Sequence, residues 1–213
     1  MIDRTCDWLL RMFLPHTRGC VFTSYDDVLQ RLNLSTSAGW PLKEDHANKR
    51  EYVESKPEEL RESVTKFWDS YKSLVTAAVC VWLCTLKDER RLKEKIDLNK
   101  IRTFTASPFV FLIVQQIVMR DFLDKIHGSL GKTPVCVGMS KFQGGFHALY
   151  MRLARHAHGS CADVGAFDSS VSQDYFARVF YLMWASLRKD HQTQENWNIL
   201  MNIFRELCWT WVA

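Results

Sequence analysis

The 213-residue chain is 47% hydrophobic and 24% charged with a formal net charge of +4, which excludes a disordered tail and supplies apolar material for one sizeable core or two small ones. Its seven cysteines, an odd number, form no Cys-x-x-Cys pair and match no histidine spacing for zinc, so reduced cytosolic thiols are the simplest reading. The longest apolar runs, within 74–86 and 109–119, are too short for a membrane span, and Met1-Ile-Asp-Arg lacks the form of a signal peptide.

In chain order, the first distinctive segment is Ser35-Thr36-Ser37-Ala38-Gly39-Trp40-Pro41-Leu42, a small-residue turn whose hydroxyls and amides can contact phosphate without reading sequence. Gly-Trp-Pro is also a common way simply to turn a chain. Pro57 then opens a segment in which Leu60, Val64, Phe67, Trp68, Tyr71, Leu74 and Val75 recur at helical spacing, with Glu58 and Glu59 beside the positive end of the dipole. Residues 79–86 turn continuously apolar and β-branched and are read as a strand leading into a basic segment, although the last turns of a helix also fit. That basic segment, 87–102, carries seven basic against four acidic residues.

Pro108 opens a predicted helix reaching about residue 126, closed by His127-Gly128 and followed by loop residues Gly131 and Pro134. Gly144-Gly145 precedes another over 146–156. Residues 161–168, Cys-Ala-Asp-Val-Gly-Ala-Phe-Asp, read as a strand and the turn after it. Ser172 is placed to cap a helix with Asp174 in its first turn and an apolar stripe of Phe176, Val179, Phe180, Met183, Trp184 and Leu187. A last helix runs through Trp197, Leu200, Met201, Phe204, Leu207, Cys208 and Trp211 with no terminating Gly, Asn or Pro, which suggests that the chain continues in a larger domain. The Trp and Phe stripes are expected in the core, and the seven histidines, unspaced for metal, at the surface or satisfied.

Three constellations carry chemistry. Asp163 and Asp168, five apart, need a turn or bulge between them to share a site; alone, such a pair is more often a strand-end Asp and a turn Asp. Lys87, Arg91, Lys95, Lys100 and Arg102 could converge on a triphosphate, which Arg forks and mobile Lys charges suit; a solvated helix face with Glu94 and Asp97 as ion-pair partners is the alternative. The turn at 35–42 is the third.

Together and in this order, the three resemble the positive-strand RNA virus RNA-dependent RNA polymerases of the picornavirus, calicivirus and astrovirus kind. Thr36-Ser37-Ala38-Gly39-Trp40-Pro41 resembles the family's template-entry motif G. Lys87-Asp-Glu-Arg-Arg91…Lys95…Lys100-Ile-Arg102 is similar to the nucleotide-entry motif F, and Asp163-Val-Gly-Ala-Phe-Asp168 to motif A. Motif B, with its Ser-Gly…Asn pattern, and motif C, with Gly-Asp-Asp, are absent from the 213 residues.

The resemblance implies an α+β, mainly helical chain: the fingers of a right-hand polymerase over 1–158 and the first part of the palm over 159–213, with an open sheet edge and exposed apolar surface beside it. It implies an RNA-directed RNA polymerase working by a two-metal mechanism on Mg²⁺, or alternatively Mn²⁺. Asp163 is the catalytic metal ligand so implied. Lys87, Arg91, Lys95, Lys100, Arg102 and Asp168 are the nucleotide-binding residues, with Asp168 near the ribose, and Thr36, Ser37, Gly39 and Pro41 line the template. Partners implied are RNA template and nascent strand, nucleoside triphosphates, other viral replication proteins and a C-terminal polymerase segment, in the host cytoplasm at replication complexes. This stretch alone is expected to be inactive, because Asp163 by itself cannot hold two metals. The rival reading is a non-catalytic helical RNA-binding or scaffold protein.

Overall fold

The computed structural model describes residues 4–74, 80–165, 167–209 and 211–212, with the side chains of 168, 169 and 211 outside the description. The elements are α1 (Arg4–Thr17), α2 (Tyr25–Arg31), α3 (Lys49–Ser55), α4 (Pro57–Tyr71), β1 (Val81–Leu86), α5 (Lys93–Asp97), β2 (Thr103–Ala106), α6 (Phe109–Gly128), α7 (Gly145–Leu153), α8 (Phe167–Ser170), α9 (Gln173–Ser186), α10 (Gln194–Cys208) and β3 (Trp211–Val212). The chain is therefore mainly helical with one small sheet, the α+β class expected. None of the helices among the described residues is long and apolar enough to cross a membrane. Two compact units form, one from 1–22 and 119–192, the other from 23–118 and 193–213.

In the second unit, β1 lies at the centre of the sheet, antiparallel to β2 and parallel to β3. Helix α4 begins where Pro57 fixes the backbone ahead of Glu58 and Glu59, and it buries Leu60, Val64 and Tyr71. It packs with α10, which Thr193 caps by accepting from the Asn196 amide at 3.2 Å. Asn202 of α10, fully buried, donates to the carbonyls of Tyr71 and Ser73 at 3.0 and 2.8 Å and so satisfies the end of α4. The opening half of α6 is buried on several sides through Phe109, Phe111, Ile113 and Val114, which marks it as a core helix rather than a surface one.

In the first unit, α1 packs on α9. The Thr17 and Ser186 hydroxyls meet at 2.6 Å, and Cys20 exchanges backbone hydrogen bonds with the Ser186 carbonyl (2.9 Å) and the Arg188 amide (2.8 Å). Phe13, Phe122, Phe180, Met183 and Leu187 are the buried apolar side chains around these contacts.

Five expectations are corrected. Residues 160–164 are not a strand but irregular chain, with a turn at Gly165 and the single helical turn α8 at Phe167–Ser170, because no described segment pairs with their backbone. The apolar stripe of α9 is buried only from Phe180 onward; Phe176 and Val179 are exposed, as are Val164 and Phe167. The deepest face of α10 is Ile199, Asn202, Ile203 and Glu206 with Leu200, whereas Trp197 and Phe204 are half-buried, and the helix stops at Cys208 so that 211–212 can pair as β3. The tryptophans of the helix stripes reach only part of the way into the core: Trp68, Trp184 and Trp197 are half-buried, as suits a bulky ring with a polar N–H. The helix predicted over 146–156 ends earlier, at Leu153, and Val75 and Val79 fall outside the described residues.

Candidate functional site

The basic segment is the connection between two paired strands. β1 and β2 align with Leu83 opposite Ala106 and Leu86 opposite Thr103, and the Lys87 amide donates to the Arg102 carbonyl at 2.9 Å, carrying the ladder one pair further. Lys87 and Arg102 are thereby neighbours despite their separation in sequence. Only residues 93–97 are helical, so the solvated helix face offered as an alternative is confined to α5, which carries Glu94, Lys95 and Asp97 in the open, and does not extend to Lys87, Arg91 or Arg102.

At the mouth of this ladder three cations meet one carboxylate. The Glu89 oxygens lie 2.7 Å from Arg91 Nε, 3.4 Å from an Arg102 guanidinium nitrogen and 3.5 Å from Lys87 Nζ. Partial burial of Glu89 works against its charge. The hydrogen bond from Arg91 and the charges of Arg91, Arg102 and Lys87 outweigh that and hold its carboxyl below the usual range. Lys95 and Lys100 are exposed at the tip, joined by the Lys100 amide on the Lys95 carbonyl at 2.8 Å, and do not belong to this cluster. Glu89 had no assigned part in the sequence reading. Its position two residues from both Lys87 and Arg91 was the available signal.

The turn at 35–42 is fixed against the end of β2. Gly39 has φ +75°, and a Cβ there would stand 2.9 Å from the Ser107 carbonyl oxygen, so both conformation and space demand glycine. The Gly39 amide donates to Ser37 Oγ at 3.2 Å, and the Trp40–Pro41 peptide is cis. Thr36, Ser37 and Pro41 are exposed, whereas Ala38 and Gly39 are buried. The sequence reading missed Lys49, the first residue of α3, which is 9% exposed and donates from Nζ to Thr36 Oγ1 at 2.5 Å, with the Phe109 ring centroid 5.8 Å away. Burial lowers its pKa. The turn and the basic connection thus belong to one unit, joined by the Gly39 approach to Ser107.

Asp163 stands exposed on irregular chain in the other unit, and Asp168 lies in α8, its side chain outside the described residues. Among the described residues no group of three or more His, Cys, Asp or Glu is placed to hold a metal ion. Asp163 alone offers a single hard oxygen donor, which fits a Mg²⁺ ion that takes few carboxylates and completes its shell with phosphates and water.

The chain matches the family model for viral RNA-dependent RNA polymerase over residues 4–211. It is 32% identical to the genome polyprotein of Lettuce mosaic virus (strain E) over 197 residues, and 32% identical to that of Plum pox potyvirus (isolate NAT) over 195, each alignment covering 90% of this chain and 6% of the polyprotein. The Beet mosaic virus genome polyprotein is 32% identical over 192 residues, 88% of this chain and again 6% of the relative. The chain therefore spans a small fraction of the curated relatives it matches. With nearly its whole length inside the family model, and with the basic connection and glycine turn built as described, the chain belongs to the viral RNA-dependent RNA polymerase family.

Proposed function

We propose that this chain supplies the fingers, over 1–158, and the first part of the palm, over 159–213, of an RNA-directed RNA polymerase that copies a positive-strand RNA genome. The observation that carries this reading is the meeting of Lys87, Arg91 and Arg102 at one anionic point on the mouth of a strand ladder, within a chain of this family. Cations held in place before the ligand arrives orient a triphosphate and neutralise charge developing on the leaving pyrophosphate. Arg102 contacts the triphosphate, Lys95 and Lys100 line its approach, and Lys87 and Arg91 serve phosphates of nucleotide or strand.

Thr36, Ser37, Gly39 and Pro41 guide the template, with Lys49 fixing the Thr36 hydroxyl. Asp168 contacts the ribose and favours RNA over DNA precursors. Asp163 would be this chain's ligand to a divalent ion, Mg²⁺ or Mn²⁺, which when bound would supply charge stabilisation for in-line phosphoryl transfer. Template and nascent RNA, nucleoside triphosphates, other viral replication proteins and further polymerase segments are its partners, at replication complexes in the host cytoplasm.

Fluorescence anisotropy with a single-stranded RNA tests the phosphate-binding part. Affinity should fall steeply with salt through counterion release, and Arg102→Ala should reduce the slope of log affinity against log salt by about 0.7. A flat response from low to high salt would remove the phosphate-binding role of the basic connection.

A further inference from the structure

We infer that Glu89 is a displaceable internal counter-ion: its carboxylate holds the point where Lys87, Arg91 and Arg102 converge, and a polyphosphate binds by taking that point from it. The inference rests on the phosphate-binding reading above and adds a residue with the opposite charge.

Both carboxylate oxygens are engaged, Oε1 by Arg91 and Oε2 by Lys87 and Arg102. This is the arrangement by which a phosphate would be held, with a planar guanidinium on one oxygen and mobile donors on the next. The Glu89 side chain is 23% exposed, Arg91 21%, Lys87 43% and Arg102 59%, so the cluster is covered enough to hold together and open enough for exchange.

The backbone positions of Lys87 and Arg102 do not depend on Glu89. The Lys87 amide on the Arg102 carbonyl and the Leu86–Thr103 register fix two of the three backbones opposite one another. Without an anion, three positive groups at hydrogen-bonding range of one point would repel each other. A carboxylate carries one charge and two oxygens; a terminal phosphate carries up to two charges and three oxygens, and a triphosphate presents several such groups. The exchange therefore favours polyanions, while simple monoanions gain little over the carboxylate already present. Glu89 sets a threshold that only a polyphosphate crosses.

Two outcomes separate a counter-ion from a clamp. If Glu89 competes for the cations, its neutral isostere should bind polyphosphate more tightly; if it merely braces them, removing its charge should weaken binding. Isothermal titration of inorganic tripolyphosphate into this chain should give an affinity about fivefold tighter for Glu89→Gln than for the unsubstituted chain at low salt, the scale of one exposed ion pair, with the advantage shrinking as salt rises.

Glu94→Gln removes the same charge from α5, away from the cluster, and should move the affinity much less. Equal tightening in both variants would reduce the effect to net charge and overturn the inference, as would unchanged or weaker binding by Glu89→Gln. Arg102→Ala distinguishes this from failure of the underlying reading. If it weakens binding while Glu89→Gln does not tighten it, only the counter-ion role falls; if it leaves binding unchanged, the basic connection is not the phosphate site and both fall. Coincident thermal melts for the variants establish that a folded chain is being titrated.

Discussion

The basic connection and the acidic loop carry opposite charges for the same proposed reaction, and they are held by opposite means. Residues 87–102 hang from a strand ladder that is anchored at both ends. At the start of β1 the Cys80 amide donates to Glu206 Oε2 at 3.3 Å, and past the end of β2 Gly39 closes on Ser107. Residues 160–164 have no ladder, and Asp163 and Val164 face solvent. Binding a nucleotide rewards cations already in position. A metal ligand needs only to be brought to the ion, and the ion with its phosphates supplies the remaining order.

The sharpest way to break this contrast is to neutralise each aspartate in a complete polymerase carrying this segment. Asp163→Asn should cut primer extension roughly a thousandfold or more with every nucleotide, because the loss falls on the transition state. Asp168→Asn should cost less and narrow the preference for ribo- over deoxyribonucleotides. Equal, complete loss in both would end the division of labour between them, and near-normal activity in Asp163→Asn would end the polymerase reading.

Hydrogen exchange reads the mechanical contrast directly: the Lys87 amide, bonded to Arg102, should exchange on the order of a hundredfold more slowly than the Val164 amide. Similar rates would mean that the ladder does not hold the connection. Gly39→Ala attacks the anchor at β2, where the positive φ and the Ser107 oxygen both oppose a methyl group. A loss of about 1–3 kcal/mol, seen as a lower urea midpoint with unchanged m, is expected.

The smallest effect concerns the anchor at β1. Burial raises the pKa of Glu206 against the opposing hydrogen bond from Cys80. The folded chain therefore holds that proton more tightly than the unfolded one, and the contribution of Glu206 to stability declines as pH rises above the unfolded carboxylate pKa, levelling once the folded carboxyl has ionised. Glu206→Gln should remove this decline, making the variant relatively more stable at pH 7 than at pH 4 in paired urea titrations. An identical pH dependence in the two proteins would show that the anchor is not titrating.

What could be read from the sequence was local. Pro57 with its acidic first turn gave α4, the β-branched run gave β1, and the spacing of Lys87, Arg91, Lys95, Lys100 and Arg102 gave five cations, of which Lys87, Arg91 and Arg102 meet. The short helices α2 and α3, of seven residues each, offer too few turns for periodicity to register. Asp163 was expected at a strand end because Gly159 and Ser169-Ser170 bound a short segment around it, but a strand forms only where a partner strand lies beside it. Glu89 looked like one acid among several until the ladder folded it between groups from both sides. Asn202 and Glu206 interrupt the apolar pattern of α10 for partners more than a hundred residues earlier, which no window of sequence contains.

The central position of β1 also sets an order of assembly. Its pairing with β2 joins residues close in the chain, so closing that hairpin sacrifices little chain entropy. Its pairing with β3, like the Cys80–Glu206 bond across 126 positions, must wait for residues 206–212. In a chain made from its N-terminus, the cations of the basic connection can gather while the acidic loop has yet to emerge from the ribosome. The contacts that then fasten β1 from its other side are the slow, high-contact-order ones.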